Sequence, residues 1–259
     1  MLSKFRDADL LWPTVFTALA LSVLLGLGTW QWNRKAWKHD VIATIAARSK
    51  APPIDARAWA GLTCELVEKA GLARSCEYTA VSLTGAFDHG RERHVYTGIA
   101  KPQGGGAGGQ GYWIMTPFKL AGTGEVVAVS RGFVPEQQKA PAARPAGQIE
   151  GETTIIGLIR EAEPRATFTG ANDLAKNMWY LRDPRELFAG AGTPLGRPGF
   201  FVDQLSPTPP GGQPASTAGR IDIPNRHLEY AITWWGLAAT LMGVYGAFAA
   251  GRFRQRLKS

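Results

Sequence analysis

Cysteine occurs only twice in this sequence, as Cys64 and Cys76, with no C-x-x-C pair and no four-ligand set, which excludes a zinc finger or ribbon. If their segment lies outside the cytoplasm a single disulfide can form; two unpaired, partly buried thiols are the safer expectation. Histidine is scarce too, and no H-E-x-x-H helix or G-x-S-x-G elbow accompanies it. Ser130, in Val-Ser-Arg-Gly, lacks the elbow glycines. The run from Gln103 to Gly111 is rich in glycine but opens no Gly-Lys-Ser/Thr helix, so it reads as a flexible hairpin loop rather than a phosphate cradle. No nucleophile, base and orienting group can be named together, and the chain reads as a scaffold or binder, not an enzyme. Acidic residues are outnumbered, 21 against 29 basic. The basic residues gather at the ends of apolar segments and in the C-terminal tail, where anionic lipid headgroups explain them. No RNP-like strand or helix-turn-helix accompanies them, so no nucleic-acid partner is expected.

What the sequence does hold is two long uncharged apolar runs. Leu10 to Trp32 has 23 residues without a charge, with Trp12 at one end and Trp30 and Trp32 at the other, as interfacial anchors would be placed. Tyr230 to Gly251 has 22 more, which as a helix span about 33 Å, roughly one hydrocarbon core. A cleaved signal peptide is the competing reading of the first run, but its length and the aromatic residues at the would-be cleavage point favour a retained anchor. Arg252, Arg254, Arg256 and Lys258 hold the C-terminus in the cytoplasm, and with two spans the N-terminus joins it. Arg34, Lys35 and Lys38 contradict this locally, yet the 197 residues from Asn33 to Glu229 exceed the short loops to which the charge rule applies. The expected order is therefore a cytoplasmic tail at 1–9, a span at 10–32, an extracytoplasmic domain at 33–229, a span at 230–251 and a basic cytoplasmic tail at 252–259. Ala18, Ser22 and Gly26 on the first span, and Ala239, Gly243 and Ala247 on the second, form small-residue stripes suited to packing against each other or a partner.

His227 heads the second span. At about 100° per residue it shares a helix face with Ala231, Trp234, Ala238 and Tyr245, so a flat apolar ligand could lie along that stripe with a metal towards the imidazole. An interfacial histidine hydrogen-bonded to backbone or water satisfies the spacing equally. Trp30, Arg34 and Trp37 share one face of the first helix at the same membrane level, either a binding ridge or ordinary anchoring. His89 and His94, five apart around a turn, could hold a metal across a hairpin, although solvated turn histidines are commoner.

Between the spans, the first helix continues to about Ala47 and a second is expected from Asp55 to Ala70. Strand patterns follow at Tyr78–Phe87 and Arg93–Ile99, read as one hairpin, and at Tyr112–Leu120 and Val126–Val134, joined at Gly122-Thr123-Gly124 as a second. Further strands are expected at Thr153–Arg160, Met178–Leu181 and Gly199–Gln204, with a short helix capped by Asp183-Pro184 and a Pro-rich linker from Ser206 to Gly219. The fold class is thus an α+β membrane protein: two transmembrane helices flanking an antiparallel, barrel-like β-rich domain with short helices.

Several blocks, in order, resemble one family. Gly28-Thr-Trp30-Gln31-Trp-Asn-Arg34-Lys35-Ala-Trp37-Lys38 resembles the N-terminal signature of the surfeit-one family of cytochrome c oxidase assembly factors, and Asn225-Arg226-His227-Leu228-Glu229-Tyr230 through Trp234 its C-terminal one. Gly85-Ala86-Phe87-Asp88, Thr116-Pro117-Phe118 and Ser130-Arg131-Gly132-Phe133-Val134-Pro135 resemble its middle blocks, with Arg226 and Phe133 standing where many relatives have Asn and Trp. The resemblance implies an assembly factor that handles haem a on its way to the catalytic subunit, with His227 as the haem iron ligand. It also implies oxidase subunit one, haem a synthase and membrane lipids as partners. On that implication Trp30 and Trp234 would pack on the macrocycle, and Arg34, Lys38 or Arg226 would pair with its propionates. A cofactor-free chaperone that holds subunit one is the alternative. The lack of a long targeting extension suits a bacterial inner-membrane member with a periplasmic central domain.

Overall fold

Helix α1 (Leu11–Lys50) is a single helix of 40 residues, about 60 Å long at 1.5 Å per residue and so about twice a hydrocarbon core. Pro13 sits in its first turn, where no helical N–H is lost, and Pro52 and Pro53 follow its end. Helix α3 (His227–Lys258) closes the chain with 32 residues and carries Glu229 at the favourable N-terminal end of its dipole. Both are long and apolar enough to cross a membrane. The computed structural model describes residues 10–55, 76–99, 108–189, 194–218 and 225–258. It divides into two compact units, Met1–Ala43 with Ile223–Ser259, and Thr44–Asp222.

In the helical unit α1 and α3 pack antiparallel along a seam that the small-residue stripes do not predict. Thr14 Oγ1 and Tyr245 OH share a 2.5 Å hydrogen bond, the Trp235 indole lies over Gly28, and Ala231 and Ala238 are buried. Ala18, Ser22, Gly26, Ala239, Gly243 and Ala247 are all exposed, and Gly26 and Gly243 meet nothing within 4 Å. The close approach comes instead at Gly28, where a Cβ would lie 2.3 Å from Trp235 Nε1. Gly28→Leu should therefore part the helices. Ala231→Cys, fully buried in the parent, should resist a thiol-reactive maleimide there and become labelled when Gly28 is leucine.

The central unit is a mixed sheet of β1 (Ile54–Asp55), β2 (Ala80–Phe87), β3 (Arg93–Ile99), β4 (Gly109–Leu120), β5 (Val126–Pro135), β6 (Thr153–Glu161), β7 (Met178–Trp179) and β8 (Phe200–Ser206). Their order is β1-β2-β6-β8-β5-β4-β3-β7, and an added β2–β4 pairing joins β2, β6, β8, β5 and β4 in a ring of strands. Each ring strand sends alternate residues into one apolar core: Val81 and Leu83, Ile155 and Ile159, Val202, Val127 and Val129, Phe118 and Leu120. A second cluster, with Val95, Met115, Trp179 and Phe201, packs under the single-turn helix α2 (Pro184–Leu187), whose backbone the Asp183 side chain caps at Arg185 N.

Three expectations are corrected here. The sheet is not purely antiparallel, because β1–β2, β3–β7 and β5–β8 are parallel. The β4–β5 hairpin forms, but β2 and β3 do not pair: both run antiparallel to the same edge of β4, β3 along residues 109–115 and β2 along 118–120. Between them the chain jogs through Asp88–Glu92 beside Pro117, whose carbonyl accepts from Asp88 N at 2.9 Å and whose missing N–H leaves no donor unpaired at the break. Cys76 is disulfide-bonded rather than free, and Cys64 lies outside the described residues. The expected helix after Asp55 and most of the Gly-rich loop also lie outside them; Asp55 itself ends β1.

The Pro-rich linker is no loose tether over its described part. Ala215 bridges Phe133 through two 2.8 Å hydrogen bonds, and Ala218 packs with Ala80 and Leu158. The strap passes so close that a Cβ on Gly132, at φ +130°, would stand 2.3 Å from the Ala215 carbonyl oxygen. Gly132→Ala should cost about 1–3 kcal/mol from the backbone conformation alone, read as a lower unfolding midpoint.

Candidate functional site

At the N-terminal end of α3 an open cleft of about 390 Å³ is lined by Lys38, Arg226, His227 and Tyr230. Three of the residues picked out from the sequence thus meet. His227 Nδ1–H donates to Gln31 Oε1 at 2.6 Å, since an amide oxygen can only accept, and Nε2 has no hydrogen-bond partner among the described residues. Further along the seam Asn225 Nδ2 donates to the Lys35 carbonyl at 3.5 Å. The other three picks lie apart. The Arg34 guanidinium stacks 3.7 Å from the Trp37 ring centroid, Trp30 is 56% exposed, and Trp234 is half-buried on the helix seam. The stripe below His227 is covered by α1 at Ala231 and Ala238, so a flat ligand is admitted only at its head.

Gln31 and Tyr230 fall inside the two terminal blocks but are not among the site residues that the sequence singles out. The signal for Gln31 is present: Thr14, Thr17, Leu21, Leu24, Gly28, Gln31 and Lys35 recur at three- and four-residue steps along one less exposed face of α1. A glutamine on that face, in a segment otherwise apolar, has to find a partner across the seam.

A second polar constellation lies inside the central unit. Glu92, at the jog between β2 and β3, accepts from His94 Nε2 at 2.7 Å and from Arg144 Nη2, with Arg131 Nη1 3.9 Å away. Arg131 also donates to the Gly147 carbonyl and lies 4.6 Å over the Phe87 ring. His89 is held as a neutral ring: its Nε2–H donates to the Ile149 carbonyl at 2.8 Å and its Nδ1 accepts from Arg131 Nη1 at 3.4 Å. Burial lowers the His89 pKa, and the Arg131 charge lowers it further. Burial alone would raise the Glu92 carboxyl, but hydrogen bonds from His94 and Arg144 and their charges outweigh it and hold it below its ordinary range. Burial pushes the Arg131 guanidinium down to about 10. His94 is therefore no solvated turn residue: its Nε2 is committed to Glu92 and its Nδ1 is buried, while both nitrogens of His89 are taken up by Ile149 and Arg131. Among the described residues no group of three His, Cys, Asp or Glu could hold a metal ion.

The blocks picked out in the sequence converge on these two places. Phe87 packs edge-on against Phe118 at 4.7 Å beneath Arg131, so the three middle blocks meet in the central unit. The two terminal blocks meet at the Gln31–His227 bond. Compared with known families, residues 18–239 match the model of the SURF1 family. The chain belongs to the SURF1 family. It is 36% identical over 250 residues to a SURF1-like protein of Monosiga brevicollis, covering 93% of this chain and 87% of that protein. It is 35% identical over 223 residues to Surfeit locus protein 1 of Homo sapiens, covering 83% and 70%, and 32% identical over 233 residues to that of Takifugu rubripes, covering 86% and 91%. The SURF1 match includes Gln31 and His227, so both partners of the bond between the terminal blocks fall inside the shared region.

Proposed function

We propose that this SURF1 chain is a membrane-bound assembly factor for haem-copper (cytochrome c) oxidase that holds haem a through His227 for insertion into subunit one. The observation that carries the reading is the His227 ring, anchored at Nδ1 by Gln31 with Nε2 unpartnered, in a cleft that also presents Lys38 and Arg226. The residues present fit the group: an imidazole nitrogen for the iron, two cations for propionates, and the half-exposed Tyr230 ring as an apolar wall. When bound, haem a would supply the redox-active iron that the oxidase needs, and this chain would only hold and release it. One protein ligand in an open cleft suits release better than an enclosed two-ligand site. In this reading α1 and α3 cross the bacterial inner membrane with both termini cytoplasmic, and residues 33–229 are periplasmic, where the Cys76 disulfide suits an oxidising compartment. Haem a synthase would stand upstream as the donor.

His227→Ala should remove most of the haem from detergent-purified protein made alongside the haem a pathway, at nearly parental expression. Equal Soret absorbance per protein in the two would sink the ligand assignment. A cofactor-free chaperone remains the second reading, favoured by the exposed Ala18-Ser22-Gly26 and Ala239-Gly243-Ala247 stripes, which the helix pair leaves available to subunit one's helices. Co-purification with subunit one in cells unable to make haem a is the result that reading expects.

A further inference from the structure

We propose that Gln31 is a positioning residue for the His227 ligand, and that its being an amide rather than a carboxylate sets the ligand at a strength suited to handing the haem on. The inference rests on the reading of His227 given above.

A glutamine side chain on an apolar helix is costly unless its polar atoms are paired, and Gln31 meets that demand across the seam with His227 Nδ1 at 2.6 Å. The bond has two consequences for the imidazole. Because Oε1 can only accept, the ring proton is placed on Nδ1 and the lone pair on Nε2, the atom left for iron. Because Gln31 is on α1 and His227 is in the first turn of α3, the ring is oriented by both helices, whose close approach one turn away depends on Gly28 beneath Trp235. A partner on the far ring nitrogen fixes orientation and tunes ligand basicity. A carboxylate there would draw the Nδ1 proton more strongly, since charge-assisted hydrogen bonds are roughly twice as strong as neutral ones, and would make Nε2 a stronger donor to ferric iron. The neutral amide keeps the orientation without that added strength, which suits a carrier that must let go.

The test uses the full-length chain in detergent with added ferric haem a, comparing the parent, Gln31→Leu, Gln31→Glu and His227→Ala. Gln31→Leu, which keeps the bulk and loses the acceptor, should weaken haem binding about tenfold and move the midpoint potential upward. Gln31→Glu, of the same shape, should bind at least as tightly as the parent, move the potential downward, and lose haem to excess apomyoglobin about tenfold more slowly. A merely structural glutamine would not move the potential in opposite directions in these two variants. Haem lost from His227→Ala, together with parental affinity, potential and transfer rate in both Gln31 variants, overturns the role of Gln31 alone. Haem retained in His227→Ala overturns the reading beneath it as well.

Discussion

Glu92→Ala should destabilise the central unit by about 3–5 kcal/mol, a large part of the roughly 5–15 kcal/mol that holds a domain folded. Arg131 and Arg144 are 1% and 4% exposed, and Glu92 is the acid paired with both. Removing it leaves two buried guanidinium groups without a paired acid among the described residues and His94 Nε2 without its acceptor. Glu92→Gln keeps the shape and one acceptor oxygen and should fall between alanine and the parent. Amide hydrogen exchange in β4 and β5 of the full chain reads the change where it occurs. A shift under about 1 kcal/mol in Glu92→Ala would show that the arginines do not depend on this carboxylate. The same cluster makes stability acid-sensitive. Glu92 has its pKa lowered from 4.5, so the unfolded chain takes its proton first; the contribution is complete above about pH 4.5 and drains as pH falls below it. His89, lowered from 6.5, acts in the same sense from a higher starting point: its contribution is complete above about pH 6.5 and drains below. Protection should thus decline in two steps on acidification, the second missing in Glu92→Ala.

The network was invisible in the sequence for a definite reason. A turn reading Asp88-His-Gly-Arg-Glu92 has the composition of a solvated loop, and what buries it arrives from Arg131, Arg144 and Ile149, 39 to 57 residues further on. Local pattern reports which residues alternate, not which strand receives them. The ends of β3, β5 and β6 were accordingly placed to within a residue, while the supposed β2–β3 hairpin was two successive strands on one edge of β4. Parallel pairing of β5 with β8 joins segments about seventy residues apart and carries no turn signal at all.

The helical unit was legible in a different proportion. Uncharged length alone marks two candidate spans, because nothing but composition is needed. Which faces meet is harder, since both sides of a membrane helix are apolar and small residues are common on each. The exposed stripes offered three small residues apiece, yet the seam formed where Gly28 could accept an indole and Gln31 could reach His227. Three of the residues singled out in the sequence, His227, Arg226 and Lys38, line one cleft, and all stand near span ends where charge is tolerated. Shared helical angle puts Trp30, Arg34 and Trp37 on one face, and on that face the Arg34 guanidinium stacks on Trp37.

On the proposal that His227 ligates haem a, replacing it with glycine should weaken haem binding by more than about 100-fold, because altering only a ligand's hydrogen-bond partner already costs 10–100-fold and here the proposed ligand itself is gone. At about 1.4 kcal/mol per tenfold, that is roughly 3 kcal/mol or more, beyond what the surface cations Lys38 and Arg226 could each restore on a carboxylate. The glycine variant has a further use. It vacates the volume of one imidazole beside Gln31 Oε1, whose hydrogen bond then has no donor. Free imidazole can enter, donate one N–H to Gln31 and offer its other nitrogen to iron, so millimolar imidazole should bring back the Soret band that His227→Gly lost. Lacking the tether to α3, it should do so only at concentrations far above that of the protein. The rescue should fail in His227→Gly combined with Gln31→Leu, where nothing orients the added ring. A parental Soret band in His227→Gly without imidazole would put the iron ligand elsewhere in the chain; a band that returns with imidazole regardless of residue 31 would keep the ligand and remove its anchor.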